Sequence, residues 1–108
     1  MRTNSLGSAP FTEVRHNPKI KKQVLLQDLS CVKHISHTTL KPGDTAFVHS
    51  HEGGYEIFYC VRGRIAFKVG EKEVTLKEGG ILAVEPGEPH AIADVFEETE
   101  LVYLLSLI

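Results

Sequence analysis

The sequence predicts an all-β domain, a sandwich or closed barrel of short strands, on three observations. Runs rich in Val, Ile, Phe, Tyr and Leu recur from Ile20 onward. Gly, Pro and Asp separate them at intervals of about 8 to 12 residues. Apolar residues at helical spacing are scarce throughout. With 108 residues, 42% hydrophobic and 24% charged, the chain has the profile of one soluble globular domain. A domain of this size removes very roughly two thirds of its unfolded surface from water, enough for one core without disulfide or metal staples.

The elements follow in order. Residues 1–19 are rich in Ser, Thr, Asn and Pro and bury little to offset the cost of ordering the backbone, so they are expected as a loosely ordered N-terminal arm. Residues 20–108 form the single domain. Strands are expected over Lys22–Gln27, Cys31–Leu40, Thr45–His51, Tyr55–Arg62, Arg64–Val69, Glu73–Leu76, Ile81–Val84, His90–Asp94 and Leu101–Leu107. Each boundary has a turn with a mechanism. In Lys41-Pro42-Gly43-Asp44 the proline presets φ and the glycine accepts a positive one. Gly70 separates two alternating runs as a hairpin does. Gly79-Gly80 and Pro86-Gly87 bracket Ile81–Val84. The acidic stretch Asp94–Glu100 reads as a solvated turn.

Composition excludes several classes of function. Twelve basic against 14 acidic side chains give a formal charge of −2, with Lys and Arg scattered, so no positive field draws nucleic acid. The longest nearly unbroken apolar stretch, Leu101–Ile108, is far short of the roughly 20 residues of a membrane helix. Met1–Ser5 leads into no apolar signal-peptide core, and a cytoplasmic protein is expected. In that reducing compartment Cys31 and Cys60 are read as separate thiols.

The chemistry begins at His49-Ser50-His51. On a strand alternate side chains share a face, so both imidazoles point the same way, together with Thr45 and Phe47. Five residues beyond His51, after a turn containing Gly53 and Gly54, Glu56 opens the next strand and can face the two histidines. A buried carboxylate without a partner neutralises itself, whereas one beside imidazoles and a cation has a reason to stay charged.

This order of residues resembles the cupin family. Its first motif, a glycine, an H-x-H pair, a glutamate and a second glycine, is filled at the allowed spacings by Gly43, His49, His51, Glu56 and Gly63. Its second motif is matched by Gly79, Gly87 and His90, with Glu85 where proline is usual and Asp94 where asparagine is usual. Arg64–Glu78 has the length of the intermotif stretch in small members, and the resemblance covers about residues 40–94. It implies a double-stranded β-helix, a jelly-roll β-barrel, with one divalent metal ion (Fe, Mn, Ni, Zn or Cu) held by His49, His51, Glu56 and His90. Three imidazoles and a carboxylate suit such ions. Four ligands around an octahedral ion leave two positions for water, dioxygen or a chelating substrate. Glu56 has an alternative role as a general acid or base.

That inward register places Phe47, Phe58 and Cys60 at the substrate pocket and makes its floor apolar. No Lys or Arg is assured of the inner face, so the pocket has no evident clamp for a phosphorylated substrate. A small, largely apolar or weakly polar molecule with two chelating oxygens is expected. His34 and His37 fall on opposite strand faces, and His37 is placed at the surface. His16 lies in the arm, outside the constellation. Two functions stay open: a metal-dependent oxygenase, decarboxylase or isomerase, or a module that binds or senses a small ligand. The outward row Tyr55, Ile57, Tyr59 and Val61 calls for a cover, and with Val24, Leu25 and Leu26 it predicts a homodimer.

Overall fold

The computed structural model describes residues 1–107, and its strands fall where the alternating runs are. In chain order they are β1 Phe11–Val14, β2 Asn17–Gln27, β3 Val32–Leu40, β4 Glu56–Arg62, β5 Arg64–Val69, β6 Lys72–Lys77, β7 Ile81–Val84, β8 His90–Val95 and β9 Thr99–Ser106. All pairings are antiparallel. They build a six-stranded sheet in the order β1-β2-β3-β9-β4-β7 and a three-stranded sheet in the order β6-β5-β8. The fold is an all-β jelly-roll barrel. Among the described residues no helix is long and apolar enough to cross a membrane.

The core lies between the sheets, where strands turn their apolar side chains inward. On β4, Glu56, Phe58 and Cys60 are buried while Tyr59 and Arg62 are exposed. On β5, Ile65 and Phe67 turn inward, and the Phe58 and Phe67 rings meet at 4.7 Å between centroids. Leu40, Leu76, Val84, Val95 and Leu101 complete a cluster drawn from both sheets. Burial at about 25 cal/mol per Å² of apolar surface is the main force holding the sheets together.

Two glycines fix where strands can turn. Gly63 joins β4 to β5 with φ at +98°, and a Cβ there would meet the Glu98 carbonyl and the Thr99 hydroxyl at 2.5 Å. Gly54 lies against the backbone of Ser106 so closely that no side chain fits. That approach lets Tyr55 exchange hydrogen bonds with Ser106 at the end of β9, which sets the start of β4 and hence Glu56.

Two expectations about strand placement need correction. Residues 11–19 are not a loose arm: β1 pairs with β2, and β2 begins at Asn17. Upstream, the buried Gln23 amide donates to the carbonyls of Leu6 and Ala9, so the sparse apolar content of this segment is offset by backbone pairing and side-chain hydrogen bonds. Thr45–His51 is not a strand either. It is held at isolated points, by Asn17 donating to the Thr45 carbonyl at 2.7 Å, by a bridge between His49 and His90, and by the Gly87 N–H donating to the His51 carbonyl at 2.8 Å.

The outer face of the large sheet is apolar in patches. Ile57 pairs with Leu104, and Tyr59 lies between Val102 and Ile81, with Tyr59 43% and Ile81 66% exposed. His37 does point to this face, opposite His34, but it is buried rather than superficial. Its Nε2 lies 2.7 Å from the Glu100 carboxylate, which takes its other contact from Arg62 at 3.0 Å. The histidine hydrogen bond is the main reason the Glu100 carboxyl is lowered.

Candidate metal centre

His49, His51, Glu56 and His90 converge at one end of the barrel. Each offers one ligand atom, and these four atoms lie within 4.8 Å of one another. Glu56 comes from β4 in the large sheet, His90 from β8 in the small one, and His49 and His51 from the segment 45–51. Glu56 Oε1 is the hub, 2.8 Å from His90 Nε2, 3.4 Å from His51 Nε2 and 3.9 Å from His49 Nε2.

Two of the imidazoles are oriented from behind. His49 Nδ1 lies 2.8 Å from the Phe47 carbonyl and His90 Nδ1 3.0 Å from the Glu88 carbonyl. A carbonyl only accepts, so each Nδ1 carries the proton and each Nε2 is presented to the centre, the arrangement that metal-bound histidines adopt. His51 Nε2 is buried and has no hydrogen-bond partner, a polar atom whose lone pair or proton is unanswered. These residues fit a divalent ion: three nitrogens and one carboxylate oxygen directed at a common point.

The electrostatics agree. Burial alone would push the Glu56 carboxyl up, but the imidazoles of His49, His90 and His51 outweigh it and hold it at about 2. His90 is opposed by burial and raised above its ordinary value by Glu56 and the Glu88 carbonyl. His51 is lowered, chiefly by burial. The site therefore presents an ionised carboxylate at neutral pH.

Behind the cluster is a cavity of about 220 Å³, walled by Phe58, Phe67, Leu101 and Tyr103 on its deep side. Phe58 lies where the sequence places it, its ring 5.7 Å from that of Tyr103. The other two proposed pocket residues do not line the cavity. Phe47 is 76% exposed, because the segment 45–51 lacks the strand alternation that would have turned it inward, and Ala46 faces the cavity instead. Cys60 is fully buried, two residues deeper along β4 than Phe58. There its thiol donates to the Arg62 carbonyl at 3.4 Å, and burial raises its pKa.

Further residues beyond the expected pocket set line or border the cavity. His16, in the β1–β2 turn, stacks on His49 with centroids 3.7 Å apart and an interplanar angle of 17°. His34 lines the wall, held by Ser36 at 2.9 Å. Arg15, Lys22 and Lys33 also line the cavity, so the inner face carries cations that the sequence pattern did not assure. The alternation Ile20, Lys22 on β2 was a usable signal for Lys22, had the strand been extended upstream.

Known proteins bear on this arrangement. A family model described as the cupin domain matches residues 36–107. An oxalate-binding protein of Thermotoga maritima is 35% identical over 69 residues, which cover 64% of this chain and 56% of that relative. The alignment thus spans little more than half the length of the relative. Among solved structures, a predicted oxalate decarboxylase from Thermotoga maritima matches 99% of this chain and 100% of its own, with a TM-score of 0.84 at 21% identity. KdgF from Halomonas sp. matches 100% of this chain and 94% of its own, with a TM-score of 0.84 at 15% identity. An RmlC-like cupin from Shewanella frigidimarina matches 100% and 92%, with a TM-score of 0.83 at 17% identity. With the family match running from within β3 through β9 and the same barrel found end to end in solved cupins, the chain belongs to the cupin family.

Proposed function

We propose that this cupin is a metal-dependent enzyme acting on a small chelating molecule, with a decarboxylase, oxygenase or isomerase type of reaction. The observation that carries the reading is the convergence of His49, His51, Glu56 and His90 on one point at the edge of a cavity. One Fe, Mn, Ni, Zn or Cu ion per chain would supply Lewis-acid or redox chemistry there. Glu56 serves as a ligand in this reading rather than as a general acid or base. The residues around the cavity suit proton handling and water exclusion. His34 is lowered, first by burial and then by Lys22, so it stays neutral and able to accept a proton. Tyr103 is raised by burial and keeps its proton. Phe58 and Leu101 supply an apolar floor.

Elemental analysis and turnover test this together. Wild type should hold about one ion per chain, the His49→Ala, His51→Ala double variant should hold none, and turnover on a panel of small organic acids should depend on the ion. No bound metal after reconstitution overturns the metal reading. Turnover that persists in the double variant overturns the assigned centre. The second reading, a binding or sensing module, is favoured by the name of the oxalate-binding relative. Metal and ligand binding without turnover would select it.

The proposal extends to a homodimer in the cytoplasm. The row of Ile57, Tyr59 and Val61 with Val102, Leu104 and Ile81 is an apolar sheet face that a second copy would cover. Cys31 is exposed and Cys60 buried, and both are free thiols, as a reducing compartment keeps them.

A further inference from the structure

The cavity that holds the candidate metal ligands is also lined by cations. Lys22 lies on β2 two residues beyond the buried Ile20 and on its face, paired across to Thr38, which also lines the cavity. Lys33 stands at the start of β3 beside His34, and Arg15 in the β1–β2 turn beside His16. Among the described residues none of these three cations is paired with a carboxylate. Lys22 is the notable member, because it is half-buried and its ammonium is lowered first by burial and further by Lys33, while Glu56 acts the other way. A half-buried ammonium beside a second one, with no counter-ion, is costly to keep unless a ligand supplies the charge.

Charge and size then define that ligand. A divalent ion outweighs the single carboxylate of Glu56, so the metal site is net positive, and the cavity lining adds Lys22 and Lys33. A neutral molecule or a monoanion held by the metal leaves the lysines unanswered. A cavity of about 220 Å³ is smaller than the roughly 300–1,000 Å³ of sites for drug-sized ligands, so the molecule is short. Building on the metal-dependent reading above, we infer that the cavity takes a small acid with two anionic groups. One group chelates the metal held by His49, His51, Glu56 and His90, and the other is bound by Lys22 and Lys33.

Lactate and malate separate the two ends. They share a 2-hydroxycarboxylate that can chelate a metal, and malate adds a second carboxylate. Calorimetric titration of the full chain, metal-free and loaded with Mn(II), should show malate binding at least about tenfold more tightly than lactate, the scale of one charge-assisted contact. Lys22→Met should abolish that preference while leaving lactate affinity and metal content unchanged. Lys33→Met, at an exposed position, should reduce the preference and guards against a folding defect in the first variant. Glycerol 3-phosphate, which lacks the chelating carboxylate, tests a phosphate at the lysine end. Lys22-dependent binding of it above that of malate would assign the second group as phosphate and uphold the subsite. Equal affinity for lactate and malate in wild type, with no Lys22-dependent binding of the phosphate, overturns the inference. So does a preference that survives in both lysine variants. Metal failure reads separately: if no Mn(II) binds, yet malate is preferred through Lys22, the metal-dependent reading falls and the anion subsite stands.

Discussion

Replacing Glu56 with glutamine tests the electrostatics of the metal-free centre through the pH dependence of stability. The residue is 6% exposed, and its carboxyl is held at about 2 against an ordinary 4.5. That depression favours the ionised form in the folded state by about 3 kcal/mol. The folded carboxyl binds its proton less tightly than the unfolded one, so this contribution is complete above about pH 4.5 and is lost as pH falls toward about 2. His90 is raised and runs the other way, contributing fully below about pH 6.5 and fading as pH rises through its folded value. The pair therefore stabilises the metal-free protein most between about pH 4.5 and 6.5. Urea unfolding with a chelator present, followed by circular dichroism, compares wild type with Glu56→Gln. The difference in unfolding free energy should be on the order of 3 kcal/mol near pH 5.5 and mostly gone by about pH 2.5. An equal difference at both pH values would refute the assignment of an ionised, histidine-held carboxylate.

Two further outcomes are expected. Gly63→Ala forces a side chain into a left-handed turn with contacts at 2.5 Å, and should cost roughly 1–3 kcal/mol in urea unfolding; a loss below about 0.5 kcal/mol would show that the β4–β5 turn relaxes freely. Tyr59→Glu places a charge in the apolar outer face and should convert a dimer into a single-chain species by light scattering, whereas wild type running as a monomer would sink the homodimer.

The ligand set was legible because its signals are local. His49 and His51 are two residues apart and Glu56 follows within one turn, so spacing brought these three together, while His90 and the set as metal ligands came from the resemblance of the two motifs to cupins. The strands were legible for the same reason, since β4 alternates cleanly up to the turn at Gly63. What failed depended on distant partners. Phe47 was turned the wrong way because 45–51 has the composition of a strand but no ladder to impose alternation. Residues 11–19 read as an arm because their stability comes from pairing with β2 and from Gln23, neither visible in a window of composition. Lys33 sits beside a register shift between Val32 and His34, so its direction could not be counted from the strand pattern.

The placement of the four ligands also bears on how the barrel is assembled. Glu56 and His90 are 34 residues apart and belong to different sheets. In a zinc finger the ion organises a peptide that is otherwise unfolded. Here the binding point does not exist until distant strands have met, and contacts of such high contact order form late. An ion would thus encounter a closed barrel and act as a rivet between its two layers at the mouth, tightening the rim while the Phe58–Phe67 interior holds without it. Metal occupancy and foldedness would accordingly be separable, and exchange of one ion for another would not have to pass through an unfolded chain.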